Sequence, residues 1–102
     1  MFINIIMLNT KIRKLLRNII LLIMIFTFFF MIFGYESNKW NGLTEEEDDT
    51  FIKKFFNRFY FSTITFTTIG YGDIYPKTIQ LKSLLLIYSL FIVVPLYNYI
   101  LN

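Results

Sequence analysis

Two stretches of this chain carry no charge, and each is long enough to reach across a hydrocarbon layer. From Asn18 to Tyr35 every residue is uncharged, and Ile19–Phe33 is nearly all Ile, Leu, Met and Phe. With Leu15 and Leu16 added, the apolar length approaches the roughly 20 residues that a spanning helix needs. Ser83–Asn102 is charge-free as well, and residues 83–101 as a helix would extend about 28 Å. Lipid offers backbone N–H and C=O groups no partner, so such runs must be helices that satisfy their own hydrogen bonds. A chain of 102 residues then holds one module. The absence of cysteine and histidine removes disulfides, thiol chemistry, haem and the usual zinc sites.

Charge placement sets the expected topology. Met1–Asn18 contains Lys11, Arg13, Lys14 and Arg17 and no acid, which puts the N-terminus on the cytoplasmic side. Ile5, Ile6, Leu8, Ile12, Leu15 and Leu16 suit one face of a short interfacial helix, while a disordered basic leader remains the alternative. A cleaved signal peptide is the rival to a retained span, but Phe33-Gly34-Tyr35-Glu36 lacks a small-residue cleavage site. Thr27 costs little inside the span because it can bond back to a carbonyl of its own helix. In the second run, Pro95 removes one helix hydrogen bond and is expected to kink the helix near Phe91, with Ser89 modulating the bend. Tyr97 and Tyr99 are candidates for narrowing an inner mouth. Neither a cytoplasmic ligand domain nor an Arg-rich voltage-sensing span is expected.

Between the runs lies a polar segment, residues 36–50, marked as loop by Asn38, Asn41 and Gly42. Glu45, Glu46, Glu47, Asp48 and Asp49 read as a solvated loop, or as a helix first turn capped by Thr44 with Glu47 completing a capping box. A charged collar that concentrates cations is the sharper alternative, although Lys53, Lys54 and Arg58 offset much of its charge. Residues 51–66 are short, aromatic and amphipathic. They read as a helix that enters the membrane part-way, its negative dipole end aimed at the bilayer centre. Phe55, Phe56, Phe59, Tyr60, Phe61 and Phe66 are expected to wedge residues 67–73 against the spanning helices.

Those residues read Thr67-Thr68-Ile69-Gly70-Tyr71-Gly72-Asp73. Glycine tolerates positive φ, so a strip punctuated this way can turn successive carbonyls to one side. Buried carbonyls need partners, and a dehydrated cation is one. A Gly-rich phosphate nest is the bland alternative, but it wants a following helix N-terminus in an α/β setting that this chain lacks.

Thr68-Ile69-Gly70-Tyr71-Gly72 resembles the selectivity-filter signature of potassium channels, with Ile69 where the family usually has valine. With its flanks, the chain resembles the short two-helix potassium channels encoded by algal viruses. The resemblance implies an all-α membrane protein with an outer transmembrane helix (15–35), turret (36–50), re-entrant pore helix (51–66), filter (67–73) and inner transmembrane helix (81–101). It further implies a homotetramer in a lipid bilayer, with both termini cytoplasmic, in a host-cell or virion membrane. Potassium would be coordinated by the carbonyls of Thr68, Ile69, Gly70 and Tyr71 and the Thr68 hydroxyl, with Gly72 completing the strip. Thr67 and Asp73 would support it. A pore-helix glutamate found in some relatives is Ile64 here, and tryptophans common just before it are Tyr60 and Phe61, which leaves the Tyr60 hydroxyl as candidate partner for Asp73. Tyr75 matches an external aromatic position, so block by external tetraethylammonium or barium is expected. No cofactor, enzymatic activity or nucleic-acid partner is expected. A structural or lytic membrane protein and a poorly selective cation channel are the competing readings.

Overall fold

A computed structural model describes the backbone of residues 2–101, and the side chains of all of these except 2, 3, 5–8, 95, 96 and 98–100. Three helices carry the fold: α1 (Phe2–Phe33), α2 (Phe51–Phe66) and α3 (Ile79–Leu101). Two short 3-10 turns, Ser37–Lys39 and Glu46–Asp48, lie in the segment joining α1 to α2. Two-residue strands β1 (Trp40–Asn41) and β2 (Tyr75–Pro76) pair antiparallel, with Trp40 opposite Pro76 and Asn41 opposite Tyr75. The fold is thus small and all-α, with a minimal two-stranded ladder fastening the segments that precede α2 and α3.

Of the two states considered for the basic N-terminal segment, the described residues adopt the helix. It runs into the apolar stretch without a break, as part of one 32-residue element. Neither glycine nor proline interrupts residues 2–33, so nothing in the chain favours a corner between them. The portion Asn9–Phe33 is long and apolar enough to cross a membrane, and α3 is apolar over Ile79–Val94. Thr27 Oγ1 donates to the Ile23 carbonyl at 2.7 Å and Ser89 Oγ to the Leu85 carbonyl at 2.9 Å, each consuming its hydroxyl within its own helix.

The core is aromatic. Phe30 of α1 meets Phe61 of α2 edge-on at 5.3 Å, and Trp40 meets Phe61 at 5.1 Å. On α3, Tyr88 stacks on Phe26 at 4.5 Å. Leu81, Ile74 and Ile92 close the cluster. Such offset and edge-to-face pairs each add about 0.5–1.5 kcal/mol beyond area burial. Of the six aromatics expected to wedge the strip, Phe61 is fully in this core, whereas Phe56 is 65% exposed and wedges nothing within the protomer. The helical period explains it: Phe56 lies five residues before Phe61, about 140° away around α2.

The acidic run is not one solvated loop, which corrects that expectation. Asp48 and Arg58 are each only 1% exposed. Arg58 forms a buried ion pair with Asp48 and also donates to the Gly34 carbonyl through Nε at 3.2 Å and Nη2 at 2.9 Å. Lys54 donates to the Tyr35 carbonyl at 2.8 Å, and Trp40 Nε1 to Gly34 at 2.8 Å. Carbonyls at the C-terminus of α1 have no partner inside the helix and carry its negative dipole end; cations from α2 cap them. Thr44 Oγ1 does accept from the Glu47 N–H at 3.3 Å, but Thr44 caps no α-helix: the short 3-10 turn there has Glu45 as its N-cap. The N-cap of α2 is Thr50, whose side chain accepts from Lys53 N at 3.2 Å.

Candidate functional site

The end of α2 hands the chain directly to residues 67–73, and the join is made by the strip itself. Thr67 N–H donates to the Thr63 carbonyl at 3.0 Å, and Thr67 Oγ1 to the Thr63 and Ile64 carbonyls at 3.0 and 3.3 Å. Thr68 N–H reaches Thr65 at 3.1 Å, and Gly70 N–H reaches Ile64 at 3.2 Å. Three of the last four carbonyls of α2 are therefore engaged. The Phe66 carbonyl takes no such bond among the described residues, so the exposed negative end of the helix is narrower than four free carbonyls would be.

Backbone rotation in the strip alternates in sign. Thr68, Gly70 and Gly72 have φ of +61°, +53° and +77°, while Ile69 and Tyr71 between them are not in the positive region. Thr68 is the described non-glycine residue with positive φ, a conformation that costs an L-residue of order 1–2 kcal/mol. Alternation of left- and right-handed rotation is how consecutive peptide planes come to turn their carbonyls the same way. Among the described residues, no carbonyl from Thr67 to Asp73 accepts a hydrogen bond. The side chains of Ile69 and Tyr71 are 53% and 69% exposed on the single protomer. The strip thus combines unpartnered acceptors with uncovered apolar side chains, a state that isolated proteins avoid.

The outer end of the strip is held from two sides. Tyr60 OH donates to Asp73 Oδ2 at 3.0 Å, the partnership suggested by the replacement of Ile64 for an acid. On the other side the backbone of the α1–α2 connection at Gly42 lies against Asp73. Tyr75 follows in β2 and is half exposed. Of the α3 candidates, Ser89 is bonded within the helix and half-buried, and Tyr97 is 61% exposed; Pro95 and Tyr99 lie within α3, and their side chains are outside those described. No group of His, Cys, Asp and Glu that could hold a metal occurs among the described residues.

Sequence reasoning missed two features. One is the burial of Asp48, for which burial itself opposes ionisation most strongly. Hydrogen bonds from Arg58, Ser37 and Asn57, with the guanidinium charge, outweigh it and hold the carboxyl at about 2. The other is the bond from Tyr88 OH to the Ser62 carbonyl at 2.8 Å, which fastens α3 to α2 in the buried core. A lone acid within five in a row gives no sign of which one turns inward, and a tyrosine in an apolar run signals only that its hydroxyl will seek a partner.

Among curated proteins, the chain is 50% identical over 42 residues to a hyperpolarization-activated voltage-gated potassium channel of Methanocaldococcus jannaschii, covering 41% of this chain and 20% of that protein. It is 34% identical over 78 residues to two-pore potassium channel 4 of Arabidopsis thaliana (76% of this chain, 27% of the relative). It is 32% identical over 96 residues to potassium channel K2 of Plasmodium falciparum (91% and 6%). The chain thus spans about a quarter or less of the length of each relative. No solved structure matches. The profile of the ion channel family covers residues 18–102, and with an alternating-φ strip between a short helix and an apolar one, the chain belongs to that ion channel family.

Proposed function

We propose that this protein is a potassium-selective channel that conducts passively through a pore shared by four copies. The carrying observation is the strip itself: φ alternates in sign from Thr68 to Gly72, and no carbonyl within it is hydrogen-bonded among the described residues. One strip cannot encircle an ion. Four around a closed cyclic axis give stacked oxygen rings that replace the hydration shell of potassium, and ions advance by mutual repulsion. Assembly also covers Ile69 and Tyr71, which the protomer leaves exposed. Carbonyls of Thr68, Ile69, Gly70 and Tyr71 coordinate the ion, with the Thr68 hydroxyl below and Gly72 above. The potassium channels named above support the choice of ion.

In this reading α1 and α3 span the bilayer, α2 enters from outside, and both ends are cytoplasmic because the basic cluster Lys11–Arg17 precedes the first span. The two-helix plan with its filter resembles the channels of algal viruses, and in this reading the membrane is that of a host cell or a virion. Nothing is chemically transformed, so the protein is a conductor and not an enzyme. Purified protein in a planar bilayer tests the reading. Unitary currents should reverse near the potassium equilibrium potential and vanish in Gly70→Ala, and mixtures of that variant with wild type should lose current out of proportion to its share. Reversal that follows sodium equally, or simple proportional loss, refutes a selective shared pore.

A further inference from the structure

Gly42 follows β1 with φ at +90°. A Cβ at this position would lie 1.6 Å from the Asp73 carbonyl oxygen, 2.8 Å from the Asp73 carbonyl carbon and 3.3 Å from Ile74 Cα. The obstructing atoms are backbone and cannot swing aside as a side chain can. The turret main chain therefore bears directly on the main chain at the outer end of the strip. Around this point the contact is extended by β1–β2 pairing and by Lys77 N–H donating to the Lys39 carbonyl at 2.9 Å.

The rest of the turret is anchored at depth. Ser37 Oγ donates to Asp48 Oδ2 at 2.6 Å, Asn57 Nδ2 to Asp48 Oδ1 at 2.9 Å, and Arg58 completes the pair. Asp48 thereby ties the first turn of the turret to α2. The strip, by contrast, is poorly tied beyond its middle. Its last backbone bond to α2 is from Gly70 N–H, and Tyr71 and Gly72 make no hydrogen bond among the described residues. Asp73 is fixed by the Tyr60 hydroxyl on one side and by Gly42 on the other.

We propose that the turret is a positioning brace for the outer half of the filter, with Gly42 its bearing point and the Asp48–Arg58 pair its anchor. This rests on reading residues 67–73 as the filter. Oxygen rings repel one another when ions are scarce, so the outer half depends on the brace most when external potassium is low. A loosened brace has a signature that simple misfolding lacks: conduction becomes steeply dependent on external potassium.

The test compares bilayer currents at high external potassium with those after its replacement by an impermeant organic cation. An L-residue forced into the conformation of Gly42 is strained, so Gly42→Ala should lose current on potassium withdrawal at least about tenfold more than wild type. Its reversal potential at high potassium should stay unchanged. Ser37→Ala, which removes one bond to the anchor, should shift in the same direction by less, and the exposed Asn38→Ala should match wild type. Wild-type dependence in both Gly42→Ala and Ser37→Ala overturns the proposal, as does a loss of current equal at every potassium concentration. If Gly42→Ala does not assemble on size-exclusion chromatography, Ser37→Ala decides alone, and wild-type dependence there overturns the brace. Gly70→Ala separates the two readings. Current surviving in Gly70→Ala defeats the filter assignment, whereas silence there with wild-type dependence in both Gly42→Ala and Ser37→Ala defeats only the brace.

Discussion

Removing the carboxylate of Asp48 strands a guanidinium in the protein interior. Arg58 is 1% exposed and its remaining partners are neutral carbonyls: Gly34 at 2.9 and 3.2 Å, Tyr35 and Lys54 each at 3.3 Å. Breaking a buried pair by deleting one member costs about 3–5 kcal/mol, because the survivor's charge is uncompensated. Asp48→Asn should therefore destabilise each protomer by that amount, a shift of about two to three and a half decades in the folding equilibrium. The neighbouring pair Lys53–Asp49, 2.9 Å apart but half exposed, is the internal standard; Asp49→Asn should leave the unfolding transition close to that of wild type, because solvent screens the pair. Thermal unfolding of the purified protein in detergent, followed by tryptophan fluorescence from Trp40, measures both. Replacing the pair together, as Asp48→Leu with Arg58→Met, should recover most of the loss, since apolar side chains of similar volume need no compensation. Equal melting of the Asp48→Asn and Asp49→Asn variants would refute the argument, because it would mean that water reaches Arg58.

Three further outcomes are expected. Because the Asp48 carboxyl is held at about 2 against an ordinary 3.8, its folded form binds a proton less readily than its unfolded form; its stabilisation is complete above pH 3.8 and fades as pH falls through about 2. The gap between wild type and Asp48→Asn should therefore be constant at neutral pH and close only in that acid window, as seen in unfolding curves taken across pH. Tyr88→Phe removes the donor to the Ser62 carbonyl at 2.8 Å and should cost about 0.5–1.5 kcal/mol, read by the same melting curves; an unchanged transition would count against that link between α2 and α3. Tyr75 is half exposed beside the strip, and Tyr75→Val should weaken block by external tetraethylammonium at least about tenfold if four rings share the cation. Block that is indifferent to this change removes Tyr75 from the external site.

The apolar runs, the basic cluster before the first and the glycine-punctuated heptad are local features, and physics acts on them locally. A charge-free run of spanning length admits only a helix in lipid, and Gly70 and Gly72 can take positive φ whatever surrounds them. The pairing of Tyr60 with Asp73 could likewise be anticipated, since the hydroxyl stands where an acid was missing and the carboxylate needed a donor. The chain alone therefore determined the helices, the strip and the ion channel class. The tertiary structure decided what depends on contact between distant residues. It chose Asp48 from five adjacent acids because that side chain reaches Arg58, Lys54, Asn57 and Ser37. It set Gly42 against Asp73, 31 positions later, because β1 and β2 pair. It also left Phe56 outside the core that holds Phe61. Such choices follow from where elements cross in space, and the order of residues along the chain does not encode that crossing in any local pattern.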